Sequence, residues 1–281
     1  MTGPGTGPGA AALRSLAIAA ALLLALGPFV VLALNSLRPS DDFLRPGAGL
    51  VPDRVTLEHY RAVFGGDGET LRFLVNSLVV TTATTLLAVA IGTLAAFALA
   101  RLRLPFRLSL LIGLSFLVVR FYPKITVALP YYLLMRDWGL LDTHLAVILA
   151  HTFIAVPFVV WLMLGFFEEL PREIELSAML DGCGAWMRFT RVVLPLSLPA
   201  LGAAAILTAF LSWNEFLMAS TVATDAAKTL PVRVSGFITD KGTLWGPMAA
   251  MSTVIVLPVA AFALVAQRWL ARGLTAGAVK G

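Results

Sequence analysis

The chain has 281 residues, 59% of them hydrophobic and only 13% charged. A soluble domain carries about a quarter charged residues, so this chain lacks the polar surface for water and belongs in lipid. In that setting the formal net charge of +5 bears on orientation across a membrane rather than on nucleic-acid binding. Cys183 is the single cysteine; it excludes an internal disulfide and reads as a small filler at a turn.

Residues 1–12 are rich in Gly, Pro and Ala and read as disordered, and the terminal segment 1–15 is expected to be a disordered cytoplasmic N-terminus. The apolar run from Leu16 to Leu34 is too long for a cleaved leader and long enough to span, which places a first transmembrane helix in 16–36. Residues 37–72 are polar and punctuated by Pro39, Pro46, Pro52 and Gly65-Gly66, with a short amphipathic helix expected over Val55–Phe64. Span two is predicted from about Phe73 to Ala100, with Gly92, Ala96 and Ala100 as a small-residue stripe for close helix packing. The connector Arg101–Arg107 holds Arg101, Arg103 and Arg107 and is the strongest orientation signal, expected in the cytoplasm.

Span three begins near Leu108 and is irregular, because Arg120, Pro123, Lys124 and Pro130 fall in or just beyond it. Span four is predicted over about His144–Phe166 with Pro157 inside. His144 and His151 share a stripe two turns apart and read as packing or hydrogen-bonding groups, not ligands. Span five covers about Leu198–Ala219 and carries Trp213-Asn214-Glu215-Phe216 at depth; span six covers about Trp245–Gln267 with Pro258 inside. An ionisable group at such depth marks a pathway or a buried pair. One reading lines a solute path with Arg120, Trp213, Asn214 and Glu215, Trp213 and Phe216 offering aromatic surface. The other has Asn214 bond across to a partner subunit and Glu215 pair with Arg120 or Lys124. The permease core is thus 73–267 and the tail 268–281.

Between spans four and five lies a polar interruption, Glu169–Pro195. Pro171 suits a helix start, Glu173 and Glu175 sit near its positive end, and Gly182 suits a left-handed stop. Leu176, Met179 and Leu180 share one face; Ile174, Ser177, Ala178 and Asp181 share the other, small one. A second short helix is expected over Ala185–Val193, ended by Leu194-Pro195. No G-x-x-x-x-G-K-[ST] loop, Cys/His metal cluster or G-x-S-x-G elbow occurs, so a pump built on this chain needs a motor from elsewhere.

The segment Ser177-Ala178, Asp181-Gly182 and Leu194-Pro195 resembles the EAA coupling loop of bacterial ABC importer permeases. Leu176 stands at the glutamate position and Glu175 is the nearest acid. The residues Val55–Phe64, Asn76-Ser77, Trp138–Thr143, Lys228–Val232 and the tail Arg272–Gly281 extend the likeness to the second membrane subunit of maltose-type sugar uptake systems. The resemblance implies an all-α integral membrane fold: six transmembrane helices with a cytoplasmic coupling helix between spans four and five. It implies ATPase coupling through Glu175, Ser177, Ala178, Asp181, Gly182, Leu194 and Pro195. It also implies a homologous permease partner, two ATPase subunits carrying ATP and Mg2+, an extracytoplasmic solute-binding protein, and a place in the bacterial inner membrane with both termini inside. The chain itself is expected to be no enzyme. A permease for polyols or glycerol phosphates, or an ion-coupled secondary transporter, are the competing expectations.

Overall fold

The structure, a computed structural model, describes residues 8–45, 47, 49–66, 68–101 and 105–276. Helix α1 (Pro8–Ser36) leads, followed by a tight turn over Ser40–Leu44 and α2 (Glu58–Phe64). Next come α3 (Glu69–Arg101), α4 (Phe106–Phe121), α5 (Lys124–Asp137) and α6 (His144–Glu169). The polar interruption forms α7 (Arg172–Leu180) and α8 (Ala185–Arg188), which runs through a π turn (Phe189–Val193) into α9 (Leu194–Leu196). Then follow α10 (Leu198–Trp213), α11 (Leu217–Val222), α12 (Leu230–Ser235), a hairpin of β1 (Ile238–Thr239) and β2 (Gly242–Thr243), and α13 (Trp245–Ala276). The fold is helical, as expected, with a small hairpin that the sequence did not suggest.

Four helices among the described residues are long and apolar enough to cross a membrane unbroken: those over Gly9–Ser36, Glu69–Arg101, His144–Glu169 and Trp245–Leu264. Two further pairs pass only together. Leu110–Phe121 and Lys124–Asp137 meet at 96°, and Ala185–Leu196 and Leu198–Trp213 meet at 76°. The first bend has a local cause. Pro123 lacks an N–H and forces Tyr122 into extended backbone (φ −66°, ψ 133°). Pro130 and Pro157 stay inside their helices.

Three expectations are corrected. Residues 8–12 are helical, not disordered, because Ala10–Ala12 are strong helix formers that extend the first span backwards; residues 1–7 lie outside the described ones. Leu194-Pro195 does not end the second knob helix. Proline is tolerated in the first turn of the short helix it enters, and the chain turns only at Ser197. Span five does not run unbroken to Ala219; it stops at Trp213 and resumes at Leu217. Arg103 in the basic connector and residues 277–281 of the tail also lie outside the described residues.

The chain divides into two compact units, residues 1–70 with 234–256, and 71–233 with 257–281. In the first, none of the most apolar stretch of α1 is buried; a helix apolar all round has only lipid or another chain to face. The polar segment after it is held by its own bonds. Arg38 is buried and donates to the carbonyls of Gly49 (2.5 Å) and Leu50 (3.1 Å). The buried His59 ring bonds the Arg38 carbonyl at 2.7 Å and lies on Gly246, where a Cβ would sit 2.1 Å from it. Arg54 beside Asp41 holds that carboxyl below the usual range, as the Ser40 backbone N–H does for Glu58.

In the second unit α6 is the hub: 56% of its most apolar window is buried. Gly92 on α3 lets that helix approach, since a Cβ there would meet Val159 at 2.7 Å. Ala88 and Ala96, one turn to either side, are fully buried against the same cluster. At one end of this unit the loop 222–230 is stapled. Asp142, itself at φ +59°, accepts the backbone N–H groups of Thr224, Asp225, Ala226 and Ala227 at 2.8–3.1 Å. Asn76 donates to the carbonyls of Ala226 and Lys228 and meets His144 Nε2 at 2.7 Å, while Ser77 accepts from Leu230. His144 is thus a hydrogen-bonding group. Burial pushes the Asp142 carboxyl up, but the four backbone donors outweigh it and hold it below its usual value.

Candidate functional site

The helix pair between α6 and α10 is built by local rules. Pro171 precedes α7 at φ −57°, and Glu173 and Glu175 occupy its first turn. Gly182 at φ +82° stops it. The Gly182 N–H bonds the Met179 carbonyl and the Cys183 N–H bonds the Ala178 carbonyl, both at 3.0 Å. These are the two crossed bonds of a Schellman stop. Gly184 precedes α8, whose Arg188 N–H returns to the Gly184 carbonyl at 3.0 Å.

The predicted outer face is exposed, but of the predicted inner face only Ala178 is buried; Ile174, Ser177 and Asp181 are exposed. Leu176, Met179 and Leu180 are exposed, Leu180 by 90%, and Trp186 and Met187 of α8 are exposed with them. On the other side Ala178 and Glu175 are buried. Ser177 turns its hydroxyl back to the Glu173 carbonyl at 3.0 Å, and Asp181 is exposed at the stop. Leu194 is half-buried and Pro195 exposed. Beneath the pair, Phe189 is buried between Phe97 of α3 (centroids 4.8 Å apart) and exposed Trp186 (5.7 Å), and Phe97 also meets Phe167 of α6 edge-on at 5.9 Å.

Glu175 does not face outwards. It is ion-paired to Arg101, the last residue of α3, and both side chains are buried. The same guanidinium donates to the Leu170 carbonyl at 3.2 Å. Sequence reasoning placed Arg101 in the basic connector and missed this contact, although Phe97 and Arg101 lie four apart and so share a helix face.

The second constellation gathers at the broken spans. Glu215 sits in the gap between α10 and α11, buried. Its Oε2 accepts the backbone N–H groups of Met218 (3.0 Å) and Ala219 (3.2 Å), capping α11. Oε1 lies 3.6 Å from Lys124 Nζ, at the first residue of α5. His151 Nε2 of α6 lies 3.3 Å from Oε2 without hydrogen-bond alignment, and its Nδ1 meets the Ser212 hydroxyl at 2.9 Å. Of the two basic partners expected for Glu215, Lys124 is there. Arg120 is not; its guanidinium lies 5.4 Å over the Phe158 ring.

The remaining candidates part company. Trp213 is 1% exposed and packs edge-on to Phe262 at 6.2 Å, so its ring lies in the bundle rather than on an open surface. Asn214 and Phe216 are exposed, and the Asn214 amide donates back to the Phe210 carbonyl at 2.8 Å. A cavity of about 190 Å³ is lined by apolar groups of α4, α5 and α6 with Tyr122, Lys124 and Met218, and not by Trp213, Asn214 or Glu215. No group of three or more His, Cys, Asp or Glu that could hold a metal ion occurs among the described residues.

Comparison with known proteins fits this arrangement. Residues 88–276 match the family described as binding-protein-dependent transport system inner membrane component. The chain is 39% identical over 235 residues to the trehalose transport system permease protein SugB of Mycobacterium tuberculosis, covering 83% of this chain and 85% of that one. It is 34% identical over 276 residues to the trehalose/maltose transport system permease protein MalG of Thermococcus litoralis, covering 95% and 97%. It is also 35% identical over 270 residues to the sulfoquinovosyl glycerol transport system permease protein SmoH of Agrobacterium fabrum, covering 94% and 93%. Among solved structures, one chain of a bacterial ABC transporter involved in the import of the acidic polysaccharide alginate superposes with a TM-score of 0.76 at 20% identity. That match covers 94% of this chain and 99% of that one, and supports the fold. The chain, a multi-helix membrane protein with an exposed helix pair between two apolar helices, belongs to the binding-protein-dependent transport system inner membrane components.

Proposed function

We propose that this chain is one permease subunit of an ATP-driven, binding-protein-dependent sugar importer. It forms the translocation path with a homologous permease and takes its motion from two ATPase subunits, which carry the ATP and Mg2+. A solute-binding protein delivers the sugar from the other side. In this reading the four unbroken helices and two bent pairs make six spans, both termini are cytoplasmic, and the α7–α8 pair is the coupling knob.

The observation that carries the reading is the knob itself. Its inner face is fixed to the bundle, and its outer face is a cluster of exposed apolar side chains, Leu176, Met179, Leu180 and Trp186. Such a patch on a short polar connection marks a docking surface. Since Glu175 is engaged internally, docking rests on apolar fit more than on an ion pair. Closure of the ATPases on ATP draws two such knobs together, and the spans follow as rigid bodies. For this to drive transport, the knob must contact the two ATPase states differently. Relatives named for trehalose and maltose support a sugar as solute. The relative named for sulfoquinovosyl glycerol supports a second reading, a glycerol-linked or polyol-like solute.

Deleting Ala178–Gly184 removes the stop and the buried contact of the knob. With the whole transporter in proteoliposomes, transport should be lost, and ATP hydrolysis should no longer respond to the binding protein. Transport at the normal rate refutes the assignment. Transport by this chain alone on an ion gradient without ATP would favour a secondary transporter instead.

A further inference from the structure

Two hinge-like joints flank α7. One is the elbow Leu170-Pro171, in extended backbone at Leu170 (φ −70°, ψ 125°), where α6 passes into α7. The other is the Gly182–Gly184 link to α8. An α7 held only by these would swing when pushed, and its displacement would be absorbed by the elbow. Arg101 prevents this on two counts. Its guanidinium bonds the Leu170 carbonyl, which is the elbow, and the Glu175 carboxylate, which is the first turn of α7. One turn earlier on the same face of α3, Phe97 packs on Phe167 of α6 and on Phe189 beyond α8. The end of α3 therefore grips both sides of both joints, with one apolar and one charged residue.

A buried ion pair is a poor source of net stability, because desolvating the two charges offsets most of their attraction. What it supplies is direction: a planar guanidinium with two acceptors fixes an angle that packed methyl groups do not. We propose that Arg101 is a positioning residue for energy coupling. Together with Glu175 it locks the elbow, so that displacement of the knob reaches span two directly and not only through its chain connections to spans four and five. This rests on the importer reading above. It assigns Glu175 to the interior of the permease, in place of a contact with the ATPase.

The test uses the whole complex, with its partner permease, ATPases and binding protein, in proteoliposomes. Three quantities are read: ATPase bound per permease, solute moved, and ATP hydrolysed. Arg101→Gln and Glu175→Gln should assemble with their ATPases yet move about tenfold less solute per ATP, the usual order of a coupling free energy. Arg101→Lys keeps the charge but not the two-pronged grip, and should fall between them and wild type. The exchange Arg101→Glu with Glu175→Arg should recover most of the ratio. A merely structural pair would change the amount of complex and leave the ratio alone. The proposal is overturned if both single variants keep the wild-type ratio, or if the assembled exchange stays as low as the singles. Should the Gln variants fail to assemble, Arg101→Lys decides: a lowered ratio supports the lock and a wild-type ratio overturns it. Absence of ATP-dependent transport by the wild-type complex would sink the importer reading instead.

Discussion

Replacing Glu215 with alanine is the sharpest probe of the broken span. The carboxylate accepts two backbone N–H groups at 3.0 and 3.2 Å and faces Lys124 at 3.6 Å and His151 at 3.3 Å. The two capping bonds dominate, since hydrogen bonds to a charged acceptor contribute about 1.5 to 3 kcal/mol each. Lys124 is half-exposed, so its share is at most about 1 kcal/mol after solvent screening. Alanine should therefore cost roughly 4 kcal/mol in all, within the range of about 3–5 kcal/mol found for breaking a buried pair. Glutamine keeps an oxygen for the α11 N–H groups but loses the charge assistance and the attraction to Lys124, so it should cost about half as much.

The assay is thermal inactivation of the purified complex, followed by the fraction that still elutes as a single species after heating. At about 2–4 °C per kcal/mol for a chain of this size, alanine should lower the midpoint by roughly 8–16 °C. A midpoint within about 2 °C of wild type would refute the capping argument at this scale. Equal losses for glutamine and alanine would show that the charge pairs, and not the cap, hold the gap together.

Three other outcomes follow from the same geometry. Asp142→Ala should loosen the loop 222–230, at about 2 kcal/mol for four partly exposed hydrogen bonds, and proteolysis of that loop should become faster. Because the folded Asp142 titrates below its unfolded value, its contribution is present above the unfolded pKa and fades as pH falls through the folded one. The difference between wild type and Asp142→Ala should therefore shrink on acidification, and a difference that grows would contradict the cap. Gly92→Leu should destabilise the chain strongly, since even a Cβ there meets Val159 at 2.7 Å; overpacking of this kind costs about 1–3 kcal/mol, as a drop in the thermal midpoint would show. Gly182→Val should impair coupling more than Gly182→Asn. At φ +82° with open space around it, the position penalises backbone conformation rather than bulk, and asparagine tolerates that region. Equal transport per ATP in the two variants would count against this.

What the sequence disclosed and what it hid divide along one physical line. The start and stop of α7 were legible because Pro171 and Gly182 act on their own backbone, and the small-residue stripe on α3 was legible because spacing alone defines a face. Leu194-Pro195 misled, since a proline in the first turn of a short helix has no intrahelical N–H bond to lose. The gap at Asn214–Phe216 was hidden inside an apolar run that reads as one span. Lys124 beside Glu215 was legible, but the longer-range bonds were hidden: Arg101 and Glu175 are 74 positions apart, and His151 and Ser212 are 61 apart. Chain periodicity carries no information over such separations, yet their placement has a common logic. Glu175 lies beside the Leu170-Pro171 elbow, Glu215 in the gap of span five, and Lys124 directly after the Pro123 break. In a bundle that faces lipid, apolar contact is non-directional and cannot by itself fix the angle of a joint. Charge-assisted hydrogen bonds are directional. The two buried glutamates of this bundle, Glu175 and Glu215, lie where helices bend, so the joints, and not the spans, are where substitution should separate motion from folding.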